Sequence, residues 1–295
     1  MSFGWDIYQR KVDPTSLSVA PYKTDSIGAG LRFGVPIAED DAISFGLAVD
    51  QTKITTYPID TGSGTSPQQY IDFCEQYGNA EGCTVSSLVG NIGWSRDRRD
   101  SFLFPRSGTF QRVLLEGTVP VGDLRYVKAS YQHQTYFPIG KDFAFMLNGE
   151  VGWAQGYGGR SVPFYKNFFA GGIGSVRGYE QSSLGPKVEQ SDGKEDAIGG
   201  DRKLVGNAEF FFPIPGLGLD KSFRASVFLD AGYVWGEDEN GKEQKLSLSD
   251  LRYSTGLGFS WSSPMGPLKF SLGFPLNAKD GDKTQNFQFQ LGSTF

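Results

Sequence analysis

Phe143-Ala144-Phe145-Met146-Leu147-Asn148-Gly149-Glu150-Val151-Gly152-Trp153 decides how this chain is read. Successive side chains of a strand face opposite sides, so a period of two sorts the run into two faces. Phe143, Phe145, Leu147, Val151 and Trp153 share one face, with Gly149 among them. Ala144, Met146, Asn148, Glu150 and Gly152 share the other. The same alternation recurs on both sides of this run. Ile27, Ala29, Leu31, Phe33 and Val35 oppose Gly28, Gly30, Arg32 and Gly34. Ile43, Phe45, Leu47 and Val49 repeat it, as do Leu268, Phe270, Leu272 and Phe274, and then Phe287, Phe289 and Leu291.

Strand and turn signals together give about twelve segments. They are 2–11, 24–36, 42–56, 84–97, 108–119, 124–137, 143–155, 203–213, 222–235, 250–262, 267–275 and 286–295. No convincing amphipathic helix separates them, so a succession of antiparallel hairpins is expected. Connections alternate in length. Ala38-Glu39-Asp40-Asp41, Gly140-Lys141-Asp142 and Ser263-Pro264-Met265-Gly266 are short, whereas 57–83, 156–202 and 236–249 are long. Short turns on one rim and long loops on the other are the pattern of outer-membrane barrels. Gly122-Asp123 departs from it, as a short turn on the long-loop rim, and 98–107 is long for the opposite rim. An even number of strands puts both termini on the short-turn, periplasmic side.

The chain has 295 residues, 40 Gly, 24 Phe, 21% charged residues and 38% hydrophobic ones. That is too polar for a helical membrane protein, and no run of 18 apolar residues occurs. Membrane barrels need only one greasy face per strand. In lipid an unpaired backbone edge costs several kcal/mol per group, so the sheet is expected to close on itself or pair with another chain. A soluble β-sandwich or lipocalin-like barrel is the competing architecture, because period two alone does not separate them. Tyr136, Phe137, Tyr233, Trp235 and Trp261 near strand ends suit interfacial girdles. Net charge is −5 without a long basic run, so nucleic acid is not an expected partner. No signal peptide precedes the first strand, so the chain is expected to be a mature form, a fragment or an engineered truncation.

Cys74 and Cys83 flank a short polar segment, which suits a local disulfide in an oxidising compartment; two free thiols are the alternative. His133 is the only histidine and sits in an alternating strand. A Ser-His-Asp triad and a zinc site therefore lack support, and neither enzyme activity, nor a metal, nor a cofactor is expected.

The strongest motif lies in the longest loop: Pro163-Phe164-Tyr165-Lys166-Asn167-Phe168-Phe169-Ala170-Gly171-Gly172-Ile173-Gly174-Ser175-Val176-Arg177-Gly178-Tyr179-Glu180. Leu184-Gly185-Pro186-Lys187 follows it. Glu209-Phe210-Phe211-Phe212-Pro213 and Phe228-Leu229-Asp230-Ala231-Gly232-Tyr233-Val234-Trp235 lie on the next two strands. The chain ends Phe287-Gln288-Phe289-Gln290-Leu291-Gly292-Ser293-Thr294-Phe295. With these motifs in this order, the sequence resembles the BamA branch of the outer-membrane insertase superfamily from about residue 2 to residue 295.

The resemblance implies a single all-β domain over 1–295, an antiparallel up-and-down transmembrane β-barrel in the bacterial outer membrane. It implies that loop 6, about 156–202, folds into the lumen. There Val176, Arg177, Gly178 and Tyr179 would form a lock, Arg177 meeting Glu209 and Asp230 on the inner wall. It implies that Phe287, Phe289, Leu291, Gly292 and Phe295 form the seam and the β-signal, with a break near Gly292. The family barrel has sixteen strands after periplasmic POTRA domains. By motif order, this chain starts at the fifth strand and lacks those domains; closure of 2–11 against 286–295 is the expectation, with an open curved sheet or a sheet completed by another chain as the alternatives. The implied function is assembly and insertion of β-barrel proteins. The implied partners are outer-membrane lipids, unfolded outer-membrane clients and, mainly through the POTRA domains, assembly lipoproteins. A passive pore or structural barrel is the alternative, and a client of the assembly machine a third reading.

Overall fold

The computed structural model describes the chain except residues 15–16, 60–63, 191–192, 215–221, 238–241, 243, 245, 264–265 and 293–295. Twelve long strands form one antiparallel sheet, each bonded to the next in sequence. They are β1 (Ser2–Val12), β2 (Lys23–Pro36), β3 (Asp41–Thr55), β4 (Gly82–Asp97), β5 (Gly108–Gly122) and β6 (Tyr126–Ile139). The rest are β7 (Phe143–Gly156), β8 (Arg202–Phe212), β9 (Phe223–Trp235), β10 (Arg252–Ser263), β11 (Gly266–Pro275) and β12 (Phe287–Leu291). The expected segments are all present, with ends displaced by a few residues.

The faces follow the alternation. Phe143, Leu147, Val151 and Trp153 of β7 are exposed on the outside. So are Phe3, Trp5 and Ile7 of β1, Ile27, Leu31 and Phe33 of β2, and Phe45, Leu47 and Val49 of β3. The buried clusters lie on the inside, where loop 6 fills the lumen. A soluble sheet buries its apolar face; this one turns it outward all round, as a lipid-facing wall does. No helix among the described residues is long and apolar enough to cross a membrane.

Three expectations are corrected, and one falls outside the described residues. Among the described residues no ladder joins β1 to β12, so closure of 2–11 against 286–295 is not observed. The physical reasons are local. β12 pairs with β11 only from Phe287 to Leu291. Gly292 then turns to φ +87°, which ends the strand. Loop 6 also packs the long-loop part of the lumen, which resists contraction there.

A helix, α1 (Gln68–Glu75), does occur inside the 57–83 loop. It buries Tyr70, Ile71 and Cys74, one side of little more than two turns. So short a helix leaves a weak periodic signal and needs tertiary packing. Tyr136 is not in an outer girdle. It shares the inner face of β6 and stacks on Phe211 with ring centroids 6.5 Å apart. Finally, Phe295, Pro264 and Met265 lie outside the described residues, so the aromatic terminus has no structural description here.

Over the long-loop rim, α1 joins a hydrophobic cap. Tyr22, Ile54, Tyr70, Val85, Leu124, Tyr126, Phe164 and Ile198 form it. Tyr70 and Phe164 stack with centroids 3.8 Å apart. Cys74 and Cys83 are disulfide-bonded at its edge. At the opposite rim the 98–107 turn folds beneath the lumen, and Arg224 Nη1 donates to Pro105 O at 2.6 Å.

Candidate functional site

Arg177 reaches the lumen wall from loop 6. Its Nε donates to Asp230 Oδ2 at 2.7 Å and its Nη2 to Asp230 Oδ1 at 2.8 Å. This is the parallel two-point pairing that guanidinium geometry favours. Nη1 donates to Glu209 Oε1 at 3.1 Å, and the Arg177 backbone N–H adds a bond to Asp230 Oδ2 at 3.1 Å. The guanidinium lies 3.5 Å from the Phe228 ring centroid, within cation–π reach. Asp230 is fully buried (0%) and Arg177 only 8% exposed, so each charge depends on the other. Asn207 Nδ2 completes the cluster, donating to Asp230 Oδ1 at 2.8 Å and Ser175 O at 2.7 Å. Ser226 Oγ donates to Glu209 Oε1 at 2.5 Å. Strand parity explains the assembly: Asn207 and Glu209 alternate inward on β8, as Ser226, Phe228 and Asp230 do on β9.

Two glycines make room for the lock. Gly178 has φ +88°, a conformation that side chains with a Cβ rarely adopt. It lies against Gly273 of β11, where a Cβ on Gly273 would fall 2.7 Å from Gly178 N. Val176 is fully buried beside Val205, Val234, Tyr179 and Leu184.

The lock also grips the chain leading into the seam. Gly178 and Tyr179 pair antiparallel with Gln285 and Thr284, immediately before β12. Gln288 Nε2 of β12 donates to Tyr179 O at 2.7 Å. The Tyr179 hydroxyl stands 3.4 Å from Tyr253 O and 3.5 Å from Asn277 Oδ1. Burial pushes its pKa up to about 12. Loop 6 and the seam strand, read from sequence as separate sites, are therefore one hydrogen-bonded assembly. Of the predicted seam residues, Phe287, Phe289 and Leu291 point outward and are 58%, 67% and 61% exposed.

Three further clamps hold loop 6, and the sequence reading missed them. Lys166 Nζ pairs with Glu116 Oε1 at 2.9 Å, and Tyr126 OH donates to the same oxygen at 2.5 Å. Lys187 Nζ meets Asp282 Oδ1 at 3.0 Å, and Arg252 pairs with the same carboxylate. Ser18 bonds Glu180, while Ala20 N donates to Ala197 O at 2.9 Å. Burial works against the Asp282 carboxylate, but hydrogen bonds from Arg252, Lys187 and the Lys279 backbone outweigh it and hold its pKa below 3.8. Glu116 lies on the inner face of β5, and nothing local in a sequence names a partner fifty residues away.

The arrangement contains no group of His, Cys, Asp or Glu spaced to hold a metal among the described residues. A buried ion pair fixes a loop, and the loop fixes the strand at an open sheet edge.

Comparison with known proteins gives the kinship of this assembly. The Omp85 superfamily domain matches residues 1–295. Over 321 aligned positions the chain is 40% identical to the outer membrane protein assembly factor BamA of Neisseria meningitidis serogroup B, covering 100% of this chain and 40% of that protein. It is 30% identical to BamA of Nitratidesulfovibrio vulgaris over 281 positions, covering 93% of this chain and 32% of that protein. The chain thus spans 40% or less of the length of these curated relatives. The crystal structure of BamA from Haemophilus ducreyi lacking POTRA domains 1–3 superposes with a TM-score of 0.85 at 25% identity, covering 99% of this chain and 59% of that one. Motif order, a lipid-facing wall, a lumen-held loop and these matches converge: the chain belongs to the Omp85 superfamily.

Proposed function

We propose that this chain is barrel wall from an assembly factor that inserts β-barrel proteins into the bacterial outer membrane, and that strand addition takes place at the gap between β12 and β1. One observation carries the reading. Among the described residues β12 is bonded on one side only, over Phe287–Leu291, and Gly292 breaks it, so a row of backbone donors and acceptors faces the gap. An unpaired edge in lipid is costly, and an incoming strand relieves that cost by pairing with it. Backbone bonds supply affinity, and alternate side chains supply selection. Loop 6 holds this edge in place through the Gly178–Gln285 pairing and Gln288.

In this reading the short-turn rim and both strand termini are periplasmic, and loop 6 lies on the outer side. Lipids and unfolded outer-membrane clients are the partners of the chain itself. Assembly lipoproteins engage mainly through regions that the longer relatives carry. No bond is made or broken in a client, so the activity is insertion, not catalysis of a reaction. The test is reconstitution in liposomes with an unfolded client barrel, scoring its heat-modifiable migration. Faster folding than in empty liposomes is expected. No acceleration would remove the insertase reading, and a large steady conductance would favour a passive pore.

A further inference from the structure

A cavity of about 650 Å³ lies at the short-turn end of the lumen. Arg99, Arg112, Arg177, Arg224 and Lys269 line it against only Asp97 and Glu209, five cations to two carboxylates. The chain as a whole carries −5. A positive pocket in an acidic protein, walled by low-dielectric barrel, concentrates anions. Arg99 is taken by Asp97 at 2.7 Å, and Arg177 by Glu209 and Asp230. Among the described residues, Arg112, Arg224 and Lys269 have no carboxylate within ion-pair distance. Arg224 is placed with care: its guanidinium lies 3.6 Å from the Phe211 ring centroid and Nη1 is bonded to Pro105 O. Its Nη2 is shielded yet bonded to nothing, and so is Arg106 Nε on the neighbouring turn. Shielded donors on charged groups are expensive to leave without an acceptor.

We infer that this cavity binds the α-carboxylate of an aromatic-ended polypeptide, with Arg224 as its principal anchor and Lys269 and Arg112 beside it. The inward aromatic walls, Phe110, Tyr136 and Phe211, suit an apolar end residue. Gln290 of β12 also lines the cavity, so the pocket reaches the open seam. Polarity favours a peptide over a lipid. β1 runs from the short-turn rim to the loop rim, so a segment antiparallel to its free edge has its C-terminus at the cavity's rim. The inference rests on the strand-addition reading and specifies which end of the client is held.

The test uses the whole chain in detergent micelles and a dye-labelled peptide copying Thr284–Phe295, as free acid and as C-terminal amide. The free acid is expected to bind about tenfold more tightly, the scale of one charge-assisted bond of about 1.4 kcal/mol, with the preference shrinking as salt rises. Arg224→Gln should abolish the preference, Arg224→Lys should restore part of it, and Lys269→Gln should reduce it. Each variant is first checked for unchanged heat-modifiable migration, and Lys269→Gln carries the test if Arg224→Gln does not fold. Equal binding of acid and amide would overturn the carboxylate site while leaving strand addition intact. Binding of neither would overturn it too, with strand addition then judged by the liposome assay. Displacement of the free acid by a single-chain lipid phosphate, but not by excess unlabelled acid, would assign the cavity to headgroups instead.

Discussion

At the residue scale the lock divides its load unequally. Asp230 takes two guanidinium bonds and the Arg177 backbone N–H, and it is wholly buried; Glu209 takes one bond. Removing one partner of a buried pair strands the other charge, at a cost of about 3–5 kcal/mol. Asp230→Ala should therefore lower the unfolding midpoint in urea severely, followed by heat-modifiable migration. Glu209→Gln keeps an acceptor for Arg177 and should cost about 1 kcal/mol. Equal losses from the two would mean that the carboxylates are interchangeable, contrary to this geometry. Gly178→Ala should be destabilising by about 1–3 kcal/mol, because φ +88° is strained for alanine and its Cβ would stand 3.1 Å from Gly273 C. A variant as stable as the parent would show that the backbone path is not constrained. Arg177 was legible in sequence as a motif, and its two partners as inward-facing acids. The unequal sharing was not, because it depends on atoms brought together from three elements.

At the element scale, loop 6 is a strap tied at several points, and only the tie at Arg177 carried a sequence signal. Lys166–Glu116 and Lys187–Asp282–Arg252 join residues distant along the chain, whose types are common on any polar face. The Asp282 clasp also sets a pH dependence. Its pKa is lowered on folding, so its stabilisation is complete above the ordinary value of 3.8 and is lost as pH falls through the depressed folded value. Pepsin digestion should leave loop 6 intact near pH 5 and cut it progressively below about pH 4, and Asp282→Asn should be cut at both. Protection unchanged down to pH 2 in the parent chain would remove the clasp from the account. Helix α1 illustrates the opposite limit of legibility. Tyr70, Ile71 and Cys74 give it a single buried side, and it is held by stacking on Phe164 and by the disulfide. Such an element exists because of its packing, which a window of local sequence does not contain.

At the scale of the whole molecule, period two and the turn signals together were enough to place the twelve strands, since every strand meets the same two environments, though not to face Tyr136 inward. They were not enough to decide closure. Closure depends on the two terminal edges meeting, and that is fixed by the short reach of β12, the turn at Gly292 and the bulk of loop 6 in the lumen. The central claim is that this open edge, steadied by loop 6, receives client strands. The most direct measurement places a photo-crosslinking residue at Phe289 on β12, at Ile7 on β1 and, as a control, at Leu147 in the middle of the wall, all three side chains being exposed. With a client barrel stalled during insertion, the account predicts strong crosslinks from Phe289 and Ile7 and little from Leu147. Crosslinks from Leu147 as strong as those from the two edges would contradict it.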